Sequence, residues 1–263
     1  MRINRLERSI RELAGSLRGK ASVFIETEEG TIQLAANEPF PAASLIKIPI
    51  MLAAYRQAQL GLLDLSKKHL IPESMRVGGM GVIAHLSAEL SLSLQDLIAL
   101  MMMVSDNTAT NMVIDQVGID AVNRLAVDLQ CYQTVLGRRM MDWEAAKAGK
   151  DNLTSAANAV RFLQEITSGK ILNEAGKKAA YHTLLHQQFQ TKLPALVTGS
   201  RFRDVVIAHK TGELPGTEHD AGIISIHGRR AYVAVLTTGL EDNADGRRFI
   251  ANIGKRVADY LLG

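Results

Sequence analysis

Strand-like periodicity appears only near the two ends of this chain, with a long helical stretch between, and that order restricts how the chain can pack. Residues 21–27 (ASVFIET) and 31–36 (TIQLAA) alternate apolar and polar side chains around Glu29-Gly30, a hairpin signal. Strand patterns return only at 204–210 (DVVIAHK), 220–226 (DAGIISI) and 231–238 (AYVAVLTT), the last two joined by a turn at His227-Gly228-Arg229. Residues 44–195 read as mostly helical. Ile3, Leu6, Ile10, Leu13 and Leu17 mark an amphipathic helix over 2–18, and Phe249, Ile250, Ile253, Val257, Tyr260 and Leu261 mark another over 245–261. The economical arrangement is an α+β fold. One antiparallel sheet carries the two terminal helices, the helical insert forms a second lobe, and a cleft separates the lobes. Residues 1–43 and 196–263 are assigned to the α/β lobe and 44–195 to the helical lobe, as one structural unit.

Composition excludes several classes. The chain has 263 residues, 47% of them hydrophobic and 22% charged, which is ordinary for a folded globular protein. No run approaches the roughly 20 apolar residues of a membrane span. The net charge is +3 and the basic residues are scattered without interleaved aromatics, so no nucleic-acid partner is expected. The single cysteine, Cys131, rules out an intramolecular disulfide and reads as a packing thiol. The first residues carry charges throughout and lack the apolar segment of a signal peptide. The expected location is the cytoplasm if Met1 is the native start, and the periplasm or exterior if Met1 replaces a removed leader. A monomer is expected.

The most informative stretch is Pro41-Ala42-Ala43-Ser44-Leu45-Ile46-Lys47-Ile48-Pro49. With a helix beginning near Ser44, positions i and i+3 share a face, which brings Ser44 and Lys47 together. A serine hydroxyl needs a base to become a nucleophile, and a lysine serves once burial lowers its pKa. The flanking residues, from Leu45 through Ala54, are apolar on every side, which marks a buried helix. Alone, the pattern equally fits a capping serine and a lysine reaching water. Pro49 is out of place in a helix interior.

Two further segments add chemistry. Ser105-Asp106-Asn107 follows the apolar run ending in Met101, Met102 and Met103. Its hydroxyl and amide suit proton transfer and substrate binding, although a plain inter-helix cap explains it as well. His209-Lys210-Thr211-Gly212-Glu213 closes the strand pattern 204–210. There Lys210 offers a charge for a substrate carboxylate, Thr211 a hydroxyl and Gly212 room for close approach.

In order, S-x-x-K, S-D-N and K-T-G form the trio of the class A β-lactamases and penicillin-binding proteins. The separations, 61 residues from Ser44 to Ser105 and 105 from Ser105 to Lys210, resemble the class A spacing, as does the order of elements along the whole chain. The resemblance implies a serine hydrolase of the β-lactamase/transpeptidase fold acting on a β-lactam, peptide or ester. Ser44 would form an acyl-enzyme, with Lys47 in the proton relay. Ser105 and Lys210 would assist the leaving group and hold the substrate carboxylate. Asn107, Thr211, Gly212 and Glu213 would contact substrate, the backbone N–H groups of Ser44 and Glu213 forming the oxyanion hole. No metal or cofactor is expected. A D-alanyl-D-alanine peptidase or esterase, or a β-lactam trap with slow deacylation, is the alternative on the same scaffold.

The chain departs from this pattern in two places. The family's deacylating glutamate lies on an omega-shaped loop, here about residues 134–152. Matching Leu136-Gly137-Arg138 to the start of that loop puts Met140 in the glutamate's place. Matching Trp143-Glu144 instead makes Glu144 the carboxylate, but loop lengths then fit badly, and the first alignment is preferred. Asp142 and Glu144 are the nearby carboxylates. Second, where the family often has a carboxylate-binding arginine, this chain reads Asp220-Ala221-Gly222. Residues 213–219 could form a distinct rim. The pair His182 and His186 lacks a third metal ligand and reads as a helix face. Gly78-Gly79-Met80-Gly81 is too short for a dinucleotide loop and reads as a turn near the cleft.

Overall fold

The computed structural model describes residues 2–263. Helix α1 (Arg2–Ser16) leads into strands β1 (Lys20–Thr27) and β2 (Gly30–Leu34), and a short β3 (Phe40–Pro41) precedes a 3-10 turn at Ala43–Ile46 and helix α2 (Lys47–Gln59). Strands β4 (Lys68–Leu70) and β5 (Ser91–Ser93) flank a loop. Helices α3 (Leu94–Met103), α4 (Asn107–Val117), α5 (Ile119–Asp128) and α6 (Trp143–Lys147) follow. Strand β6 (Leu153–Thr154), helices α7 (Ala156–Thr167) and α8 (Glu174–Leu185), strands β7 (Val206–Leu214), β8 (Thr217–Ile226) and β9 (Arg229–Thr238), and helix α9 (Asn243–Leu262) complete the chain.

The main sheet is antiparallel with strand order β2-β1-β9-β8-β7, so the first and last parts of the chain pair through β1 and β9. Alternation along the strands divides the side chains between two cores. Val23, Ile25, Val233, Val235 and Ile224 pack under α1 and α9, whereas Ala208, Ala221, Ile223, Ala234 and Leu236 face the helical segment around α2. The segment from 44 to 195 is mostly helical but contains the small ribbon β4 with β5, and its strand β6 pairs with β3 from just before it. Ser93 and Asp96 form the expected capping box at the start of α3.

Two local differences from the sequence expectation have clear causes. The β7–β8 hairpin is longer than expected: β7 runs through Leu214 and β8 starts at Thr217, so residues 213–219 are strand ends around a Pro215-Gly216 turn, and Glu213, Leu214 and Pro215 border the cleft. Gly212 suggested a strand end but sits within the strand. Pro49 also ceases to be anomalous. The α-helix begins at Lys47, after the 3-10 turn, so Pro49 falls in the first turn, where backbone N–H groups lack intrahelical partners in any case.

Candidate active site

The three sequence segments meet at one point. Ser44 lies in the 3-10 turn that opens α2, and Lys47 is fully buried in a helix whose residues from Lys47 to Tyr55 are all buried. Ser105 connects α3 to α4 in a left-handed conformation (φ +57°), a strained state for a serine that turns its hydroxyl inward. Its Oγ donates to Ser44 Oγ at 2.8 Å and accepts from Lys47 Nζ at 3.0 Å and Lys210 Nζ at 3.1 Å. Lys47 Nζ also donates to Ser105 O (2.7 Å) and Asn107 Oδ1 (3.1 Å). The i to i+3 spacing puts Ser44 and Lys47 within reach of each other, and the hydrogen bonds join them through the Ser105 hydroxyl, brought by a distant segment.

The two lysines sit in unusual electrostatics. Burial brings Lys47 down from 10.5 to about 7, opposed in part by the Asp106 charge. Lys210 is held well below the ordinary lysine value, first by burial and then by the positive charges of Lys47 and Lys192, with Asp220 acting against them. Near neutral pH Lys47 is therefore available as a proton acceptor.

Asp106 is the structural member of its triplet. Its buried carboxylate caps α4 by accepting from Ala109 N–H (2.8 Å) and also accepts from the N–H groups of Val82 and Ile83 (2.7 and 2.8 Å). It thereby ties the Gly78–Gly81 loop to the site wall. A side chain at Gly81 would place its Cβ 2.3 Å from Asp106 Oδ2, and one at Gly79 would lie 2.7 Å from Asn107 Nδ2. These glycines allow the loop to close over the triplet, a role invisible until the two segments are seen together. Asn107 Nδ2 donates to Gly78 O at 3.1 Å.

Strand β7 is the sheet edge beside Ser44. A Cβ at Gly212 would lie 3.3 Å from Ser44 N and 3.2 Å from Ala43 Cβ, so a glycine is what lets the strand approach the serine backbone. Thr211 is buried, Glu213 is exposed, and both border a small recess of about 70 Å³ with Ser44, Ser105 and Gly212. Asp220 stands away from this recess, bonded to His209 Nδ1 at 2.9 Å and accepting from Leu193 N–H at 3.0 Å.

The main cleft beside Ser44 has a volume of about 410 Å³ and is largely apolar, lined by Met80, Met140, Met141, Trp143, Leu214 and Pro215 among others. Met140 is fixed there by Asn111, whose Oδ1 accepts from Met140 N–H (2.8 Å) and whose Nδ2 donates to Met140 O (3.1 Å). The ends of the loop are clamped by Arg138 Nε donating to Asp151 Oδ1 at 2.8 Å, and by Asn152 Oδ1 accepting from the N–H groups of Gly137 and Arg138. Arg138 also lies 5.2 Å from the centre of the Trp143 ring. Glu144, by contrast, is 84% exposed and paired with Lys147, and Asp142 caps α6 by accepting from Ala145 N–H. Neither lines the cleft. Of the two carboxylates that sequence left as substitutes for the glutamate, neither reaches Ser44.

Comparison with known proteins agrees with this architecture. The model of the family described as "Beta-lactamase enzyme family" matches residues 5–261. The chain belongs to this family. It is accordingly a hydrolase of the class A β-lactamase type. Among solved structures, a beta-lactamase from Sphaerobacter thermophilus superposes with a TM-score of 0.89 at 28% identity, covering 97% of this chain and 96% of that one. A beta-lactamase from Chitinophaga pinensis gives 0.88 at 23% identity, covering 97% and 99%. The structure of PBP-A gives 0.87 at 23% identity, covering 97% and 95%. No match was found among curated proteins. Among the described residues no helix is long and apolar enough to cross a membrane, and no group of His, Cys, Asp and Glu residues is arranged to hold a metal ion.

Sequence reasoning missed several residues that shape the site: Asp106 as an anchor, Asn111 beneath Met140, the Arg138–Asp151 clamp and Lys192. Each acts through contacts with segments far away in the chain, which leave no local pattern.

Proposed function

We propose that Ser44 attacks the carbonyl of a β-lactam, or of a related amide or ester, to form an acyl-enzyme, and that the β-lactam acyl-enzyme is long-lived. The observation that carries this reading is the bond chain from Ser44 Oγ to Ser105 Oγ and on to Lys47 and Lys210. Once Lys47 is neutral, the Ser105 hydroxyl turns to donate to its amine and to accept from Ser44; the Ser44 proton then passes to Ser105 as the Ser105 proton passes to Lys47, and the serine oxygen forms the new bond to the carbonyl carbon. The backbone N–H groups of Ser44 and Glu213 receive the developing oxyanion. In the reverse direction Ser105 hands a proton to the departing nitrogen. Asn107 and Thr211 orient the substrate, and Lys210 attracts its carboxylate.

Slow deacylation follows from Met140. The Asn111-anchored loop position that could offer a general base to a water near Ser44 carries a thioether, which cannot take a proton. This favours a penicillin-binding or esterase-like behaviour over rapid penicillin turnover. A mutant of PBP-A, a protein of the same fold, was solved as an acyl-enzyme complex with penicillin G, so the fold accommodates the adduct proposed for Ser44.

Intact mass spectrometry over time with penicillin G and with a simple ester tests the reading. A penicillin adduct persisting for minutes or longer is expected. Ser44→Ala should abolish the adduct while the circular dichroism spectrum stays unchanged. Labelling retained in that variant would place the nucleophile elsewhere.

A further inference from the structure

We propose that Lys192 is a positioning residue for the acylation step, holding and polarising the Gly212–Glu213 peptide so that its N–H is presented to the reacting carbonyl oxygen. This rests on the assignment of Ser44 as nucleophile and Glu213 N–H as an oxyanion donor. Lys192 is 2% exposed, lies just before the crossing into the last three strands, and carries one of the largest fully buried side chains of the protein. Its Nζ donates to Gly212 O at 2.7 Å and His219 O at 3.2 Å, and lies 2.5 Å from the Glu218 carboxylate.

Those contacts fix a plane. The carbonyl of Gly212 and the N–H of Glu213 belong to the same peptide and, with no cis bonds among the described residues, point in opposite directions. An ammonium gripping the oxygen therefore sets the direction of the N–H on the other side. Gly212 itself is pressed against the Ser44 backbone, within 3.3 Å of a would-be Cβ. A charge-assisted bond to the carbonyl also draws electron density from the amide and strengthens the N–H as a donor.

Lys192 borders the small recess next to Ser44 and Ser105, so a direct role in binding the substrate carboxylate has to be weighed. Two of its three donors are taken by backbone carbonyls, and its charge is paired with the Glu218 carboxylate. The side chain is committed to the protein. Its counter-ion is committed too: Glu218 accepts from Arg247 Nη1 at 2.7 Å and Asn243 Nδ2 at 3.1 Å, both from the start of α9, while Asn243 also donates to Leu214 O and accepts from Gly216 N–H at the hairpin turn. A buried ion pair adds little net stability over apolar residues of equal size. What this one holds, the reactive edge of β7, accounts for it better.

The experiment compares the full chain with Lys192→Arg and Lys192→Met, reading acylation by stopped flow with nitrocefin. The acyl carbonyl stretch is read by difference infrared spectroscopy with penicillin G labelled at the lactam carbonyl. Lys192→Met should acylate about tenfold more slowly at saturation, part of the 10²–10³ lost when an oxyanion donor is removed outright. Initial binding should be little changed, and the acyl carbonyl should shift to higher frequency. Lys192→Arg should recover most of the rate. If Lys192→Met does not fold, the pair Lys192→Met with Glu218→Gln removes both charges and is read the same way. Folded variants with the parent's acylation rate and carbonyl frequency overturn the proposal, as does a change confined to initial binding. A parent protein that forms no adduct overturns the assignment of Ser44 itself.

Discussion

Replacing Lys47 by methionine should change how stability depends on pH, by an amount set by the burial of one amine. In the folded protein Lys47 titrates at about 7, and in the unfolded chain at the ordinary lysine value of 10.5. Above both values the residue is neutral in both states and contributes nothing. As pH falls from 10.5 toward 7 the unfolded chain takes a proton that the folded protein refuses, so the parent loses stability at about 1.4 kcal/mol per pH unit. Below about 7 the folded protein is protonated as well, and the penalty levels off at about 5 kcal/mol. Methionine cannot titrate. The stability of Lys47→Met relative to the parent should therefore rise by about 4 kcal/mol between pH 10 and pH 7, whatever fixed difference the loss of three hydrogen bonds introduces. Lys210 titrates in both proteins, and without the Lys47 charge it is held less far below the ordinary lysine value, which adds to the rise in the same direction. Urea denaturation of both proteins at half-unit steps from pH 6 to 10 measures this. Parallel stability curves would refute the argument that Lys47 is held neutral by burial. The same shift predicts that acylation in the parent rises with pH through about 7 to a plateau, and that the variant acylates some 10²–10⁴-fold more slowly.

Three other outcomes follow from the geometry. Met140→Glu puts a carboxylate on the anchored loop and should shorten the lifetime of the penicillin adduct by at least about tenfold, as measured by time-resolved mass spectrometry; an unchanged lifetime would separate Met140 from the slow step. Gly212→Ala forces a methyl group against Ala43 and the Ser44 backbone and should slow acylation by roughly 10²-fold through misplacement, with little change in melting temperature; normal acylation would mean that β7 need not approach so closely. Cys131 is buried and its thiol is pushed up to about 12 by burial, so iodoacetamide at pH 8 should leave the native protein unmodified and label it only after denaturation.

The sequence alone determined the outline because its signals are local. Strand alternation at 21–27 and 231–238, the all-round apolar helix after Ser44 and the capping box at Ser93 each follow from a few neighbouring residues and their period. The chemical trio was legible for the same reason: each of its parts is a short run with fixed spacing. The tertiary structure decided what depends on segments meeting. It linked Ser44 to Lys47 through Ser105, gave the glycines at 79, 81 and 212 their purpose, and sent Glu144 to the solvent while Asn111 held Met140 in the cleft. It also buried Lys192 against Gly212. Periodicity reports which face of an element is apolar. It carries no information on which distant side chain will fill the space opposite, and in this cleft the occupants of that space set the pKa values, the strain and the missing base.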